Sequence, residues 1–405
     1  MEKFYNKKKV SKDKYDGRYF IKPIYCKKCL YPFLSASPME INDEGICMGC
    51  ITTEIKNKYD QKEYSRRELL LKKLIDNRLK FKEKNTYDCI VSVSGGKDSY
   101  YQTHYVRKIL GLKPLLVTYN GNNYSKTGLR NVQKMREVFG FDHIFFTPAV
   151  DTLKKLNRLG MLIMGDMDWH NHIGIFTYPI KVAVEKNIPI MIWGEHGDTD
   201  LGGMYGMDDM IEFSYRERTE HAGRGYDWNN IVELSNKYNE PLNKKDMYSF
   251  IYPEDSEIDR VGIRGIFMNN YIYWEANDHL KLMIEKYDFK VSNQSFERTY
   301  RKGSNLDDIH ENGIHDYLKY IKFGYGRCTD HASKDIRAGL ISRDQGIRLV
   351  NKMDPIKPKD LERWLKYVGM EEEEFDRIAD HFRDPRVWKW SKEGKWQRDF
   401  LKEDK

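Results

Sequence analysis

The segment 94–99 reads Ser-Gly-Gly-Lys-Asp-Ser and combines residue types that hold phosphate. Gly95 and Gly96 carry no Cβ atom, so the backbone there can adopt a positive φ and approach a ligand closely. The apolar run 89–93 before it is typical of a buried strand, and a helix is expected directly after it. Free N–H groups and the positive end of the helix dipole would face this turn. The 94–99 loop therefore predicts a phosphate site.

The 94–99 loop is not a Walker A motif. That motif needs GxxxxGK followed by Ser or Thr, whereas Val91 lies five residues before Gly96 and Asp98 follows Lys97. The loop instead resembles the PP-loop of the ATP pyrophosphatases, which bind ATP and release pyrophosphate, usually while adenylating a substrate oxygen. A tight strand-to-helix turn with incidental glycines is the alternative.

Roles within the 94–99 loop follow from the charges of its side chains. Lys97 is expected to offset negative charge that develops during the reaction. Asp98 is expected to hold Mg²⁺ or to cap the helix, and Lys97 and Asp98 are the candidate catalytic residues. Backbone N–H and hydroxyl groups would cradle the phosphates of ATP. The candidate ATP-binding residues of the loop are Ser94, Gly95, Gly96, Lys97, Asp98 and Ser99.

Two CxxC pairs, Cys26–Cys29 and Cys47–Cys50, are separated by 17 residues. This spacing is typical of a tetrahedral zinc site built from two knuckles. A site closed by four thiolates leaves no open position for a substrate, so the zinc is predicted to be structural. The other two cysteines, Cys89 and Cys328, stand alone.

Apolar runs alternate with segments of helical periodicity after the 94–99 loop. The runs are 114–119, 143–147 and 188–193, and the helical segments are 128–139, 151–163 and 175–187. This alternation predicts an α/β fold with a doubly wound parallel sheet. Ligands bind at the carboxyl ends of the strands in such sheets, so the polar turns there should share one crevice with the loop.

Those turns supply three further candidate ATP-binding residues, Tyr119, Gly194 and Glu195. Glu195 or Asp198 is also a candidate ligand of Mg²⁺, which prefers oxygen. A plain polar loop after a strand is the alternative interpretation of this second turn.

Two further segments have an unusual composition. His170 and His172 lie in a stretch dense in possible metal ligands, but residues two apart share a face only on a strand, which favours a satisfied loop pair. Residues 199–262 lack clear periodicity and are rich in glycine, which predicts a long loop or lid insertion.

The segment 322–337, here called the charged junction, joins a helix that ends near Gly324 to a helix that starts near Thr329 or Asp330. Many charges at one turn are costly unless they are exposed or paired. A corner that binds phosphate or a sugar nucleotide has this composition, and a salt-bridged helical hairpin is the alternative. The candidate substrate-binding residues are Lys322, Arg327, Asp330, His331 and Lys334.

The 94–99 loop, the four cysteines and the segment 317–339 together resemble the N-acetyl sugar amidotransferase family of bacterial surface-polysaccharide (lipopolysaccharide) and nonulosonic-acid biosynthesis. The resemblance extends over nearly the whole chain, and its most particular part is Lys-Phe-Gly-Tyr-Gly-Arg at 322–327 with Thr-Asp-His-Ala-Ser-Lys-Asp-Ile-Arg-Ala-Gly at 329–339. It implies that ATP adenylates the amide oxygen of an acetamido group on a nucleotide-linked sugar, and that ammonia then displaces AMP. It also implies a separate glutaminase as the source of ammonia.

A tRNA-thiolating enzyme is the main alternative, because some of these enzymes also join a zinc ribbon to a PP-loop. They generally need further cysteines, and only Cys89 and Cys328 remain here. A zinc-ribbon binding module without enzymatic activity would leave roughly 300 residues of α/β chain without a role.

Length and composition predict the organisation of the chain. Its 405 residues suggest a zinc ribbon at 1–59, a PP-loop ATP-binding α/β domain at 60–300 that includes the 199–262 insertion, and a C-terminal helical region at 301–405. The net charge of +7 does not argue for nucleic acid. The sequence contains no run of 18 apolar residues, so no membrane span is predicted. The polar segment 1–9 indicates no signal peptide, so the cytoplasm is the expected location.

Overall fold

The computed structural model describes residues 10–80 and 87–402. The polar segment 1–9, on which the signal-peptide prediction depends, lies outside the described residues. None of the helices within 10–80 and 87–402 is long and apolar enough to cross a membrane.

One sheet of parallel strands forms the centre of the protein. The strands are β1 Cys89–Ser92, β2 Pro114–Tyr119, β3 His143–Phe146, β4 Ile190–Trp193 and β5 Arg264–Phe267. Their order is β3-β2-β1-β4-β5, and Ile90 of β1 pairs with Leu115 on one side and Met191 on the other. The predicted doubly wound parallel α/β fold is therefore confirmed. The strand order reverses at β1, which places the ligand crevice of this fold class at the 94–99 loop.

Helices cover both faces of the sheet and form the C-terminal part of the described chain. They are α1 Met48–Lys58, α2 Gln61–Leu79, α3 Lys97–Lys108, α4 Lys126–Phe139, α5 Val150–Met164, α6 Trp169–Glu185, α7 Trp228–Lys237, α8 Asp255–Val261, α9 Ala276–Tyr287, α10 Asn305–Asp308, α11 Glu311–Phe323, α12 Arg327–Arg337, α13 Arg343–Met353, α14 Asp360–Val368 and α15 Glu372–His381. A short antiparallel pair follows, with β6 Lys389–Trp390 and β7 Trp396–Gln397. The predicted helical C-terminal region is confirmed.

The two faces of the sheet bury alternate side chains of each strand. Val91 of β1 packs with Tyr100 of α3 and Met283 of α9 on one face. Its neighbour Ile90 packs with Ile180 of α6 on the opposite face. Because both faces are covered, the strands are apolar throughout, which is why the sequence showed continuous runs rather than alternation.

The composition of the segment 199–262 predicted one long loop, but the structure shows helices within it. It contains α7, α8 and π-helical turns at Asp198–Gly202 and Glu217–Ala222. Ile231 of α7 packs with Leu156 of α5 and Trp169 of α6, so the segment is anchored on the α/β core. The prediction of a continuous loop failed because α7 spans 10 residues and α8 only 7, too few to show helical periodicity clearly. The sequence also missed the short strand β5.

The four predicted zinc ligands form a buried cluster. Their Sγ atoms lie within 4.8 Å of one another, with 3.5 Å between Cys29 and Cys47 and 3.8 Å between Cys26 and Cys50. Tetrahedral zinc with Zn–S bonds of about 2.3 Å needs sulfurs about 3.8 Å apart, so the four side chains fit the ion. Arg337 of α12 donates to Cys29 Sγ and Cys47 Sγ, each at 3.4 Å.

Zinc removal supplies the first test. In the Cys47→Ser variant we expect the loss of one zinc per chain and a fall in Tm on the order of 10 °C, because metal binding contributes directly to folding. Metal analysis and thermal unfolding measure both quantities. Cys328→Ser is the matched control, since this buried thiol lies outside the cluster, and it should keep its zinc. A wild-type protein that is fully folded without metal would contradict the assignment.

Candidate active site

Serine side chains hold the 94–99 loop in shape. Ser99 Oγ accepts from the Gly95 N–H at 3.1 Å and donates to the Gly96 carbonyl at 2.9 Å. Ser94 Oγ accepts from the Gly96 N–H at 3.2 Å. Helix α3 begins at Lys97, so N–H groups of its first turn have no partner within the helix and face the loop. The loop thus has the strand–turn–helix geometry that favours phosphate.

Both glycines of the loop are required by the structure. Gly95 has a φ of +85°, in the region that favours glycine. A Cβ atom on Gly96 would lie 2.7 Å from Asp308 Oδ2. A carboxylate from the C-terminal helices therefore lies directly against the loop, a contact that the sequence did not predict.

Two carboxylates meet at the start of α3. Lys97 Nζ donates to Asp98 Oδ2 at 2.8 Å, whereas Asp98 Oδ1 and Asp308 Oδ1 are buried without a hydrogen-bond partner among the described residues. Burial, and then the neighbouring Asp307, raise the pKa of Asp308 well above its ordinary value. Buried carboxylate oxygens that lack partners are suited to Mg²⁺, so Asp98 and Asp308 fit this ion.

A cavity of about 350 Å³ opens at the carboxyl ends of β1, β2 and β4, and we call it the sheet-edge cavity. Its walls carry polar side chains from three parts of the chain. They are Ser94 and Asn123 from the loops after β1 and β2, Asp168, Asn171 and His172 from the start of α6, and Asn305, Asp308, Asn312, His315 and Arg327 from the C-terminal helices. The cavity thus joins the 94–99 loop to the C-terminal region.

The structure divides the candidate ATP-binding residues between two places. Ser94 and Tyr119 line the sheet-edge cavity, whereas the other five residues of the 94–99 loop do not. Gly194 and Glu195 do not line it, and Glu195 accepts from Lys334 Nζ at 3.3 Å. The side chain of Asp198 lies outside the part of the chain that the structure describes. The roles of these residues stay predictions.

The charged junction forms ion pairs. Arg327 lines the sheet-edge cavity and donates to Asp316 Oδ2 at 2.7 Å. Asp330 pairs with Lys319, and Lys334 pairs with Glu195. The alternative of a salt-bridged helical hairpin therefore describes much of this segment, although Arg327 also faces the cavity.

Of the remaining two candidate residues of the charged junction, His331 is buried and Lys322 is partly buried. His331 Nδ1 hydrogen-bonds to Thr299 Oγ1 at 2.6 Å. Lys322 Nζ lies 3.9 Å from Asp166 Oδ2, and burial lowers the pKa of Lys322 to about 8 although Asp166 opposes the shift. Neither residue lines the sheet-edge cavity, so substrate binding by them stays a prediction.

The histidine pair that was predicted in a loop lies on α6 instead. His170 is fully buried and hydrogen-bonds to Tyr119 at 3.1 Å and Asn157 at 2.9 Å. His172 Nε2 lies 3.3 Å from Asp168 Oδ2 and faces the cavity. Each histidine is thus satisfied separately, as expected for residues two apart on a helix.

Glu311 is a buried carboxyl group behind the cavity wall. Asn123 Nδ2 donates to Glu311 Oε2 at 2.8 Å, and Oε1 has no hydrogen-bond partner in the described chain. Burial, followed by the charge of Asp168, raises the pKa of Glu311 to about 8.

Sequence reasoning missed Asp308, Glu311 and His315. A signal was present, because the segment 305–316 is dense in carboxylates, amides and histidines immediately before the charged junction. Residues spaced by three or four lie on one helix face, which would have predicted one polar wall.

Comparison with known proteins concerns mainly the C-terminal part of the chain. Residues 278–401 match the family model described as LPS biosynthesis protein WbpG-like, C-terminal domain. The matched segment includes Asn305–Asp308, His315 and Arg327 of the sheet-edge cavity. For residues 278–401, the match confirms the resemblance to proteins of lipopolysaccharide biosynthesis. No curated protein matches the sequence.

Two solved structures show a distant likeness. The NH3-dependent NAD synthetase from Campylobacter jejuni has 11% identity and a TM-score of 0.27, covering 49% of this chain and 91% of its own. The NMN synthetase from Francisella tularensis has 13% identity and a TM-score of 0.29, covering 58% of this chain and 100% of its own.

The raised pKa of Glu311 gives a stability prediction. The folded protein keeps a proton on Glu311 up to about pH 8, whereas the unfolded chain releases it near pH 4.5, so this group makes folding less favourable as pH rises between these values. Glu311→Gln should remove the effect, on the order of 4 kcal/mol. The variant should match the wild type at pH 5 and exceed its free energy of unfolding at pH 8.

Urea unfolding at both pH values measures the difference. Glu362→Gln, which changes an exposed glutamate of α14, should keep the wild-type pH dependence. An unchanged pH dependence in Glu311→Gln would show that this carboxyl is ionised in the folded protein.

Proposed function

We propose that the protein is an ATP-dependent, AMP-forming amidotransferase that converts the acetamido group of a nucleotide-linked sugar to an acetamidino group in lipopolysaccharide or other surface-glycan biosynthesis. The observation that carries the proposal is the sheet-edge cavity, where the 94–99 loop meets helices of the WbpG-like segment. One wall adjoins the 94–99 loop, which suits the phosphates of a nucleoside triphosphate. The other wall belongs to a segment similar to proteins of lipopolysaccharide biosynthesis.

ATP would bind with its phosphates at the 94–99 loop. The N–H groups at the start of α3 and the serine hydroxyls supply hydrogen bonds, and Lys97 supplies a positive charge. Asp98 and Asp308 would hold Mg²⁺, which offsets phosphate charge when it is bound. Tyr119, at the end of β2, would then face the nucleotide.

The sugar nucleotide would bind against the C-terminal wall. Asn305 and Asn312 present amides, which can both donate to and accept from sugar hydroxyls. Arg327 presents a guanidinium, which suits phosphate oxygens. The acetamido group could thereby lie between this wall and the 94–99 loop.

The chemistry balances in two steps. The amide oxygen attacks the α-phosphorus of ATP, an O–P bond forms, and the bond to pyrophosphate breaks. Ammonia then adds to the former amide carbon, and the bond from this carbon to the oxygen of AMP breaks, which leaves an amidinium. This product carries a positive charge that the neutral amide lacks, and the carboxylate of Asp168 on the cavity wall would stabilise it.

Ammonia is expected from a separate glutaminase, and this partner is proposed on the family resemblance. Free ammonium should replace the glutaminase in a purified assay.

The tRNA-thiolating alternative lacks a suitable thiol. Cys89 and Cys328 are fully buried, and neither lines the sheet-edge cavity. Burial also raises the pKa of the Cys328 thiol, which disfavours the nucleophilic thiolate.

Product analysis tests the reaction. The protein with ATP, ammonium and a panel of UDP-, GDP- and CMP-linked N-acetyl sugars should form AMP and pyrophosphate in equal amounts. Mass spectrometry should show one oxygen of a sugar replaced by NH. Formation of ADP, or thiolation of tRNA instead of sugar amidination, would contradict the proposal.

The loop carboxylate gives a second test. Asp98→Ala should lower turnover by about 10²-fold or more, because the Mg²⁺ that offsets the phosphate charge would lose a ligand. Its Tm should stay near that of the wild type, since the side chain is one-third exposed. Asp76→Ala, at an exposed position of α2, is the control and should retain activity. Full activity in Asp98→Ala would remove this residue from the site.

A further inference from the structure

The second step of the proposed reaction needs a proton acceptor. When ammonia adds to the carbon that bears the adenylated oxygen, the nitrogen that ammonia contributes carries a positive charge. One proton must leave this nitrogen before its lone pair can expel AMP and form the C–N double bond. A group that accepts the proton must therefore face the sheet-edge cavity.

His315 of α11 has the required geometry. It lines the cavity, and its side chain is 17% exposed. Its Nδ1 donates to Asp166 Oδ1 at 2.9 Å. This bond fixes the tautomer in which Nε2 carries a lone pair, and Nε2 makes no hydrogen bond within the described residues.

Asp166 is held in the ionised form that this tautomer needs. It is 2% exposed, and burial alone would raise its pKa, but His315, Arg224 and Lys322 lower its pKa well below the ordinary value. Arg224 pairs with Asp166 from the 199–262 segment and has a φ of +52°, which is uncommon outside glycine. Strained residues of this kind cluster at functional sites.

The other groups around the cavity are less suited to accept the proton. His172 Nε2 lies 3.4 Å from Arg224 Nη2 and 3.3 Å from Asp168, so that nitrogen is occupied. Asp308 lies at the 94–99 loop, where it is a candidate ligand of Mg²⁺. Glu311 lies behind the wall and does not line the cavity.

We infer that His315 is the general base of the amidination step and that Asp166 positions it, an assignment that rests on the proposed function. His315 Nε2 takes one proton from the nitrogen that ammonia contributes. The C–N double bond then forms as the bond to AMP breaks, and the proton later passes to solvent.

A divalent metal ion is the competing use of this cluster. Asp168, His172 and His315 have ligand atoms within 4.8 Å of one another. Arg224 and Lys322 bring two positive charges to the same place, which oppose a divalent cation more strongly than the single charge of a protonated imidazole.

The experiment separates the two steps of the reaction. Adenylation is followed as ATP–pyrophosphate exchange that depends on the UDP-, GDP- or CMP-linked N-acetyl sugar supporting AMP release. Amidination is followed as the acetamidino product formed with ammonium. In His315→Gln, the exchange should stay within about 3-fold of wild type while amidination falls 10²-fold or more, the range for loss of a general base. In His315→Ala, added imidazole should restore part of the amidination.

His310→Gln is the matched control. His310 Nδ1 lies 2.9 Å from Asp360 Oδ1, the same distance as in the His315–Asp166 pair, and this more exposed pair does not line the sheet-edge cavity. This variant should keep both steps. Asp166→Asn should resemble His315→Gln, with exchange retained and amidination lost, whereas a merely structural role would reduce both steps together.

The outcomes distinguish this inference from the proposed function. A wild-type protein that catalyses neither step overturns the proposed function. An active wild type with equal amidination in His315→Gln overturns the inference, as does an equal loss of exchange and amidination. A loss of bound metal other than zinc from His315→Gln would assign the cluster to a metal site and also overturn it.

Discussion

The candidate site depends on the docking of residues 307–310 onto the loop between β2 and α4. The Ser125 N–H donates to the Asp308 carbonyl at 2.8 Å, and the His310 N–H donates to the Asn123 carbonyl at 3.0 Å. A Cβ atom on Gly128 would lie 2.1 Å from the Asp308 carbonyl oxygen, so only glycine permits this approach. Backbone hydrogen bonds thus fix the C-terminal helices against the sheet. This docking places Asp308 at the 94–99 loop and His315 in the cavity wall.

The four-cysteine cluster supports the same arrangement, because its contacts lie toward the end of α12 that is opposite Arg327. Arg337 of α12 donates to two of the clustered sulfurs and to the Leu201 carbonyl at 3.0 Å. Ser333 of α12 donates to the Cys29 carbonyl at 2.9 Å. Since Arg327 begins this helix and faces the cavity, the ribbon helps to set where that guanidinium lies. The cluster thereby acts on the candidate site through packing rather than through chemistry.

Burial and neighbouring charged side chains together decide which carboxyl groups near the cavity are ionised. Asp166 and Asp168 stay ionised because cationic or histidine side chains contact them, and the pKa of each is lowered although burial opposes this. Glu311 and Asp308 lack such partners, and burial raises their pKa values. Carboxyl groups that lie close together in space, in and behind the cavity wall, therefore differ in charge. A neutral amide that becomes an amidinium would meet both kinds of group.

The sequence alone determined the parallel α/β core, the loop at 94–99 and the cysteine cluster, because each rests on local spacing: apolar runs for buried strands, glycines for a turn, CxxC pairs for one metal. It also named Arg327 as one of five candidates in the charged junction. Only the tertiary structure decided which polar residues meet. Lys322, Asp330, His331 and Lys334 are paired away from the sheet-edge cavity, whereas Asp308 and His315 line it. Periodicity records which residues share a helix face, but the approach of α10 and α11 to β1 depends on hydrogen bonds between segments about 180 residues apart, and no local pattern specifies those.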